Sequence, residues 1–461
     1  MCGVAGTIGG TEADVVQMLE RLKHRGPDGH GIEHAGNAIH GHARLALLDP
    51  SSASAQPFQQ GVGMLCFNGE IWNYRELRAE LEAAGRTFLT TGDTEVLAIA
   101  LDTWGIYRTY EKLDGMFAFA WSKEGRTWLA RDPHGKIPLY VLVQDTMGHV
   151  VLSWASERKA FNPGDQPHAL PAGNIMRCED LVSDDVRQPH LLSIQPEPKD
   201  VMAWLRHGVK QRLNADAPVC CLISGGLDSS IILALAAEHT KNLTAYTAFV
   251  DETGNDDLKA ARKLCSELGV KHVEVRVEPD AKTYDDAMLS IEIPSKAQIE
   301  IAALCLPLAA RISQDGFKAC LSGEAADELF GGYGNFCIQA SRCDDAQIVA
   351  LRKAQLDKMA RGNFVRCNKA FMAHGVECRL PFMVPALVES VVNATKAANP
   401  PGKKLLKAAA AGIVPEWIIK RTKETFQGAS GSAGRAESLF TNPKLHYNAE
   451  IKRRFGYLPR D

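Results

Sequence analysis

The second residue of the chain, Cys2, combines a nucleophilic thiol with a position where removal of Met1 would give it a free α-amine. A cysteine thiol is only roughly a few per cent ionised at neutral pH, so a nucleophilic cysteine needs a base. An α-amine with a pKa of about 8 can accept that proton within the same residue. The alternative is a small buried hydrophobe, which most free cysteines are, and this chain has 12 cysteines. Cys2 is therefore a candidate nucleophile that other motifs must support.

The heptapeptide SGGLDSS, residues 224–230, stands between an apolar strand pattern and an apolar helix pattern. Gly225 and Gly226 allow the backbone to approach a phosphate closely, and a helix start offers unpaired N–H groups. Hydroxyl donors come from Ser224, Ser229 and Ser230. Asp228 can hold the magnesium that accompanies a nucleotide, and the Walker lysine is missing. The alternative is a glycine turn with a serine cap, but the full heptapeptide in this context favours a phosphate site.

A second acidic motif, LSGEAADELFGGY at residues 321–333, follows another apolar strand pattern. It carries three carboxylates, Glu324, Asp327 and Glu328. Such a segment can be a solvated acidic turn, or it can bind magnesium and handle protons. The motif is therefore a second candidate part of a nucleotide site.

Length and composition limit the number of domains and the class of protein in which these motifs occur. A chain of 461 residues predicts two domains, and 45% apolar with 23% charged residues is typical of a globular protein. The net charge of -3 gives no reason to expect nucleic acid or an anionic membrane as a partner. No targeting segment or apolar run long enough to span a membrane is found, so we expect a cytoplasmic protein. The cysteines lack paired C-x-x-C spacing, which argues against zinc and against a disulfide framework.

The elements differ between the two halves of the chain. After a predicted helix over about residues 12–24, short β-rich runs crowd residues 38–156, with one clear helix over 74–85, and predict packed antiparallel sheets. A proline-rich polar stretch predicts a linker over 161–199. Strands then alternate with helices, which predicts a parallel sheet flanked by helices and a mainly helical C-terminal part.

The two acidic motifs resemble the ATP-pyrophosphatase domain of the asparagine synthetase family, whose pattern SGEGxDExFGGY is matched here with Ala325 in place of a glycine. The resemblance covers about residues 200–430. It implies that Asp228 and Asp327 bind magnesium pyrophosphate, that Glu324 acts as a base at the acceptor, and that Lys423 meets charge on the phosphates. It further implies an ATP site made by Leu222, Ser224, Gly225, Gly226, Leu227, Asp228, Ser229, Val250, Ser322 and Gly323.

The N-terminal half resembles the class II glutamine amidotransferase domain over about residues 2–160. The motifs MCGVAG, HRGPDG, ARLALLD, FNGEIWNY, TGDTEV, LDGMFAFAW and ARDPHGKIPLY occur in the family's order. The resemblance implies an Ntn-type αββα sandwich with Cys2 as nucleophile and an oxyanion hole from Asn68 and Gly69. It also implies that glutamine is bound by Arg44, Asn68, Glu70 and Asp93.

Together, the resemblances imply a glutaminase domain at 2–160 and an ATP-pyrophosphatase domain at 200–461. The implied enzyme activates a carboxylic acid with ATP and amidates it with ammonia from glutamine. The implied partners are glutamine, ATP, Mg²⁺ and a small carboxylic acid, with no nucleic acid or membrane, and a homodimer is compatible with the resemblance. Three alternatives remain open: a phosphoribosyl-pyrophosphate or sugar-phosphate amidotransferase, which should lack SGGLDSS; a β-lactam synthetase relative, which should lack Cys2; and a non-catalytic descendant.

Two positions near the expected acceptor depart from the family pattern. Glu300 stands where the family commonly has an arginine, and Val384 stands in RLPFMV where an acidic residue is expected. Both changes would weaken contacts to an amino-acid acceptor. Aspartate is the expected acceptor, giving asparagine, but these departures predict weaker aspartate use or a different carboxylate.

Overall fold

The computed structural model of the protein describes residues 1–184, 200–252, 255–421 and 434–459. An N-terminal region contains two antiparallel sheets, and a C-terminal region surrounds one parallel sheet. The predicted fold class, an αββα sandwich followed by a parallel α/β domain with a helical C-terminal part, is confirmed. Within these ranges, no helix has the length and apolar character needed to cross a membrane.

Two six-stranded antiparallel sheets form the N-terminal sandwich. The first sheet contains β1 (Gly3–Ile8), β2 (Gly29–Ala35), β3 (Ala38–Arg44), β8 (Tyr140–Thr146), β9 (His149–Ala155) and β10 (His168–Ala169), in the order β10-β8-β9-β1-β3-β2. The second contains β4 (Phe58–Gln60), β5 (Gly63–Ile71), β6 (Gly115–Lys123), β7 (Arg126–Arg131), β11 (Ile175–Arg177) and β12 (Val182–Asp184), in the order β12-β11-β7-β6-β5-β4.

Alternation along the strands explains why both faces of each sheet are covered. On β6, Met116 and Ala118 face the core between the sheets, whereas Phe117 and Phe119 face the helices outside. Helix α1 (Glu12–Leu22) covers the first sheet, and three helices cover the second: α2 (Tyr74–Ala83), α3 (Asp93–Trp104) and α4 (Ile106–Lys112).

Two features of the sandwich differ from the sequence prediction. Helix α3 was not expected, because its residues from Asp93 to Leu101 are all buried and show no polar face. The predicted linker over 161–199 needs correction at its N-terminal end, because β10, β11 and β12 pair with strands of the sandwich. We therefore extend the N-terminal region to Asp184; residues 185–199 lie outside the described residues.

The C-terminal sheet contains β13 (Val219–Leu222), β14 (Thr244–Phe249), β15 (Lys271–Arg276), β16 (Ala319–Leu321) and β17 (Glu377–Arg379). Its order is β15-β14-β13-β16-β17, and all neighbours are parallel. The chain runs outward from β13 in one direction and then returns to build β16 on the other side. This order creates a switch point between β13 and β16, outside whose carboxyl ends ligands of open α/β sheets bind.

Helices flank this sheet and continue to the end of the described chain. They are α5 (Val201–Leu213), α6 (Leu227–Ala237), α7 (Asp256–Leu268), α8 (Ala281–Ile291), α9 (Lys296–Gln314), α10 (Ala326–Phe330), α11 (Gly334–Ala340), α12 (Asp345–Met359), α13 (Asn363–Met372), α14 (Pro385–Val392), α15 (Lys404–Ala409), α16 (Glu416–Ile419), α17 (Arg435–Leu439) and α18 (Pro443–Phe455). Helix α18 packs against α8 and α9 in a core cluster separate from that of the sheet.

Candidate active sites

Cys2 lies immediately before β1 and is buried, with 8% of its surface exposed. Its backbone N–H donates to Oδ1 of Asn68 at 2.8 Å, and the Leu45 N–H lies 3.4 Å from the Cys2 sulfur. Burial raises the pKa of the Cys2 thiol, and the positive amino terminus partly opposes this effect. The thiol therefore needs a base to become a nucleophile at neutral pH.

Asn68 and Gly69 follow one another on β5, beside Cys2. The Asn68 amide is fixed at both ends, because its Nδ2 also lies 3.4 Å from Oγ of Ser156. Gly69 has φ 150°, and a Cβ at this position would lie 2.0 Å from the carbonyl oxygen of Met116. Only glycine fits there, so the strand brings its backbone and the Asn68 amide to the same side of Cys2.

Two buried carboxylates lie at the other side of this site. Asp93 begins α3, and its Oδ2 accepts the Ile71 N–H at 2.9 Å. Burial raises the pKa of Asp93 to about 6. Burial and the nearby charge of Glu377 raise the pKa of Glu70 well above its usual range. Burial thus disfavours the ionised form of both carboxyls.

Arg44 completes this group at the edge of β3. Its guanidinium donates to the carbonyl oxygens of Asp49 at 2.6 Å and Ser51 at 2.8 Å, which hold the side chain at the rim. A cavity of about 30 Å³ is lined by Met1, Cys2, Arg44, Gly69, Glu70 and Asp93, among others. The structure therefore brings Cys2, Arg44, Gly69, Glu70 and Asp93 to one cavity, and Asn68 contacts the backbone of Cys2.

Arg25 was not predicted as part of this site. It is fully buried and donates from Nε to the Cys2 carbonyl oxygen at 2.9 Å, from Nη1 to Glu157 at 2.5 Å and from Nη2 to Asn368 at 3.0 Å. The motif HRGPDG contains this arginine, but nothing in the sequence indicates that its partners lie 23, 132 and 343 positions away. Arg25 positions the residue that carries the thiol.

The second site is a pocket of about 510 Å³ outside the carboxyl ends of β13 and β16. It is lined by the predicted residues Leu222, Ser224, Gly226, Leu227, Asp228, Ser229, Ser322, Gly323, Glu324 and Asp327. The SGGLDSS loop enters α6, where Oγ of Ser229 accepts the Ser224 N–H at 3.1 Å. A Cβ at Gly323 would lie 2.8 Å from the Ser229 nitrogen, so glycine lets the two loops meet.

Asp228 and Asp327 approach one another across this pocket, and an unpredicted residue lies between them. Nζ of Lys403 is 2.5 Å from Oδ2 of Asp228 and 2.6 Å from Oδ1 of Asp327. Burial opposes the charge of Lys403, but the two carboxylates outweigh it and raise its pKa. The sequence NPPGKK carries no signal for this role, because the contact with Asp228 spans 175 positions.

Two carboxylates in the pocket, Asp228 and Asp327, match the small number that magnesium takes from a protein. Among residues 1–184, 200–252, 255–421 and 434–459, no group of three or more His, Cys, Asp or Glu side chains could hold a metal. Mg²⁺ commonly takes one or two protein carboxylates and completes its shell with phosphates and water. A site with two aspartates beside a phosphate loop meets that requirement.

Glu324 is held at the far end of the pocket. Its Oε2 lies 2.6 Å from Nη2 of Arg366, and its Oε1 accepts from Nδ2 of Asn363 at 2.8 Å. Burial and the charge of Glu324 raise the pKa of the neighbouring Glu328 to about 7. Glu324 and Glu328 therefore place two acidic groups side by side in the wall of the same pocket.

Several predicted positions do not form the pocket wall. Gly225 and Val250 are absent from the lining residues, although Gly225 has φ 81° and packs against the carbonyl oxygen of Asp257, where a Cβ would lie at 2.1 Å. Ala325 has φ 80°, a left-handed conformation that explains the glycine of the family pattern. Lys423 lies outside the described residues.

Glu300 and Val384 lie outside the pocket, contrary to the expectation that they alter acceptor contacts. Glu300 pairs with Lys296 at 2.7 Å on the face of α9 towards α17, whereas Gln298 and Ile301 on the same helix line the pocket. Val384 is 2% exposed, is the N-cap of α14 and packs in the core of the domain. These substitutions therefore give no structural reason for weaker use of aspartate.

Glu300→Gln is expected to leave the KM for the acceptor unchanged, because the carboxylate faces Lys296 and not the pocket. Steady-state kinetics at saturating ATP and ammonia test this directly. Gln298→Ala, two residues away on the pocket face, is the contrasting variant and should raise that KM. A raised acceptor KM in Glu300→Gln alone would contradict this orientation of α9.

One helix and one strand join the two sites. On α13, Asn368 contacts Arg25 of the sandwich, and Arg366 and Asn363 hold Glu324 in the pocket beside the SGGLDSS loop. On β17, Arg379 binds Glu377 at 2.6 Å and reaches Glu70 of the sandwich at 3.4 Å. Helix α13 therefore contacts both sites, and β17 also reaches the pocket, because the N–H of the pocket residue Ser322 donates to the Arg379 carbonyl oxygen at 3.0 Å.

Comparison with known proteins separates the chain into the same two parts. Residues 1–176 match the family model described as a glutamine amidotransferase domain, and residues 200–358 and 346–448 match the model described as asparagine synthase. The asparagine synthase match argues against a phosphoribosyl-pyrophosphate or sugar-phosphate amidotransferase, which would share only the first part.

Full-length relatives are also found. A glutamine-hydrolysing asparagine synthetase of Sandersonia aurantiaca is 31% identical over 91% of this chain and 82% of its own length. Asparagine synthetase B of Escherichia coli K12, also glutamine-hydrolysing, is 30% identical over 94% of this chain and 83% of its own. A solved structure of the allosteric regulatory enzyme of purine biosynthesis overlaps at 18% identity and a TM-score of 0.37, covering 60% of this chain and 80% of that one.

Proposed function

The chain belongs to the asparagine synthetase family, and from this premise we propose that it transfers the amide nitrogen of glutamine to ATP-activated aspartate. The products are asparagine, glutamate, AMP and pyrophosphate. The observation that best supports a coupled reaction is the sharing of α13 and β17 by both sites, through Asn368 and Arg379 on one side and Arg366 on the other. We propose a glutaminase domain over residues 2–184 and an ATP-pyrophosphatase domain over 200–461.

Glutamine hydrolysis begins at Cys2. Once Met1 is removed, the free α-amine accepts the thiol proton and the thiolate attacks the glutamine carboxamide. Asn68 and the Gly69 N–H stabilise the oxyanion that forms. Arg44 pairs with the substrate carboxylate, Asp93 with its ammonium, and Glu70 contributes a hydrogen bond. A chain that retains Met1 should lose this half-reaction, because its Cys2 nitrogen is an amide and Met1 lines the cavity.

The pKa of Asp93 predicts how glutamine binding depends on pH. Because Asp93 has a pKa of about 6 and must be ionised to bind an ammonium, its protonation should lower glutaminase kcat/KM by about a further tenfold per pH unit below that value, in addition to the fall that protonation of the α-amine causes. Initial rates between pH 4.5 and 8 measure this limb. Asp93→Asn should raise the KM for glutamine and flatten the limb, while ammonia-dependent synthesis keeps its own pH profile. An unchanged acid limb in Asp93→Asn would assign the titration to another group.

ATP is cleaved between its α- and β-phosphates in the second site. The backbone of SGGLDSS and the hydroxyls of Ser224 and Ser229 bind the phosphates. Asp228 and Asp327 would hold Mg²⁺, which when bound neutralises charge on the departing pyrophosphate. Lys403 and Lys423 supply further positive charge. The aspartate carboxylate attacks the α-phosphate and becomes an acyl adenylate.

Ammonia then reaches the adenylate inside the protein. Glu324, held by Arg366 and Asn363, accepts a proton as ammonia attacks the activated carbonyl. Passage through the interior protects ammonia from protonation and the adenylate from hydrolysis. Exclusion of water from both ammonia and the adenylate is compatible with the packed interface between the sites.

The proposal is tested by incubating the enzyme with ATP, glutamine and a panel of carboxylic acids, and identifying the amide by mass spectrometry. Asparagine, AMP and pyrophosphate in equal amounts are expected with aspartate. An amide formed only from another acid would replace aspartate as the acceptor. We also propose a cytoplasmic enzyme and a homodimer, which cell fractionation and sedimentation test.

A further inference from the structure

Lys403 occupies an unusual place for a lysine side chain. Its ammonium bridges Asp228, in the first turn of α6, and Asp327, in the first turn of α10, at 2.5 and 2.6 Å. The residue itself is only 5% exposed. Two neighbouring carboxylates repel one another, and a shared cation between them removes that repulsion.

The backbone around Lys403 is fixed by hydrogen bonds, and its buried side chain borders the pocket. The Lys403 N–H donates to the Phe330 carbonyl oxygen at 2.9 Å, and the Gly402 N–H donates to that of Gly331 at 2.8 Å. These contacts tie the residue to the end of α10. Its side chain lines the 510 Å³ pocket that the phosphate loop also lines. The ammonium can therefore move into the pocket while its backbone stays in place.

We infer that the Lys403 ammonium occupies the metal-ion site in the nucleotide-free enzyme. The divalent cation therefore binds between Asp228 and Asp327 only together with ATP. The inference rests on the proposed assignment of these aspartates as metal ligands. An ammonium and a divalent cation cannot both occupy the space between the two carboxylates. Phosphates entering the pocket give the Lys403 ammonium new negative partners, and its departure frees the carboxylates. Lys403 is thus a positioning residue that couples metal entry to nucleotide entry.

Binding of Mn²⁺, followed by loss of the free-ion signal in electron paramagnetic resonance, tests the inference without turnover. The wild-type protein should bind Mn²⁺ weakly alone and at least roughly tenfold more tightly with α,β-methylene-ATP, because the phosphates add metal ligands and Lys403 competes only in their absence. Strong binding of Mn²⁺ to the wild type without nucleotide would overturn the inference, whatever the variants do.

Lys403→Met and Lys403→Gln should bind Mn²⁺ without nucleotide at least roughly tenfold more tightly than the wild type, because a competing cation is removed. Lys403→Arg, which keeps the charge, should resemble the wild type. Lys407→Met is the matched control, since Lys407 lies one turn further along α15 and also lines the pocket. Mg²⁺ should raise the melting temperature of Lys403→Met but not of the wild type.

Asp228→Asn separates this inference from the proposed function. If Asp228→Asn abolishes nucleotide-dependent Mn²⁺ binding but the Lys403 variants bind Mn²⁺ like the wild type, the aspartates are metal ligands and Lys403 does not occupy the metal-ion site. If Asp228→Asn binds Mn²⁺ normally, the metal assignment fails and the inference fails with it. Equal increases in Mn²⁺ affinity in Lys403→Met and Lys407→Met would show a general effect of pocket charge. That result would also overturn the inference about Lys403.

Discussion

Replacement of Cys2 by alanine is expected to lower glutamine-dependent amidation by roughly a thousandfold or more, as loss of a nucleophile does, and to leave ammonia-dependent amidation intact. The structure supports this separation because the Cys2 thiol lies in a cavity lined by sandwich residues, apart from the pocket that contains the SGGLDSS loop. The change removes one sulfur atom and should not disturb Asn68, whose partner is the backbone of residue 2. Asparagine formation is measured with glutamine and, separately, with ammonium chloride.

Cys66→Ala is the matched control for this experiment. Cys66 is another buried thiol of the same sandwich, and its Sγ lies 3.1 Å from the carbonyl oxygen of Gly41. This variant should retain both activities. A folded Cys2→Ala protein that has lost ammonia-dependent synthesis as well would contradict the assignment of glutamine hydrolysis and amide synthesis to separate sites.

Asp228→Asn is expected to have the complementary effect, with a loss of roughly a hundredfold or more in synthesis from either nitrogen donor and little change in glutaminase rate. The substitution removes half of the candidate metal site and leaves Lys403 paired with Asp327 alone. Glutamate release reports on the first site, and AMP and pyrophosphate report on the second. The products should be AMP and pyrophosphate, because the loop lacks the lysine of the ADP-forming Walker motif.

Asp357→Asn, on the exposed face of α12, is the control for this loss of charge and should leave all rates unchanged. Stoichiometric ADP from the wild-type enzyme would reject cleavage at the α-phosphate. Full synthesis by Asp228→Asn would show that the metal is bound elsewhere.

Local motifs could be predicted from sequence where the physical requirement is itself local. The phosphate loop needs two glycines between a strand and a helix start, and residues 224–230 satisfy this with no knowledge of the fold. Alternation of Phe117 and Phe119 with Met116 and Ala118 likewise indicates a strand covered on both faces. Helix α3 was missed for a related reason, because a helix buried on all sides lacks the periodicity that identifies most surface helices.

Contacts between distant residues could not be predicted. Arg25, Arg379 and Lys403 act on partners separated by more than a hundred positions, and a lone basic residue in sequence is typical of a solvated surface. The direction in which Glu300 points on α9 could not be predicted either. Helix α9 has apolar residues towards both the pocket and the α8 cluster, so its sequence does not reveal which of its faces meets the ligand.

Buried polar contacts of charged side chains cross the interface between the two halves. Arg25 depends on Asn368 from the other half, and Glu70 depends on Arg379. A buried polar group left without its hydrogen-bond partner typically costs about 1–3 kcal/mol, and more when it is charged. Each half made separately would expose such groups without partners. Splitting the gene, or exchanging one half with that of a relative, should therefore be tolerated only when residues that contact each other across the interface are kept as pairs. In calorimetry, the two halves should therefore unfold in a single transition.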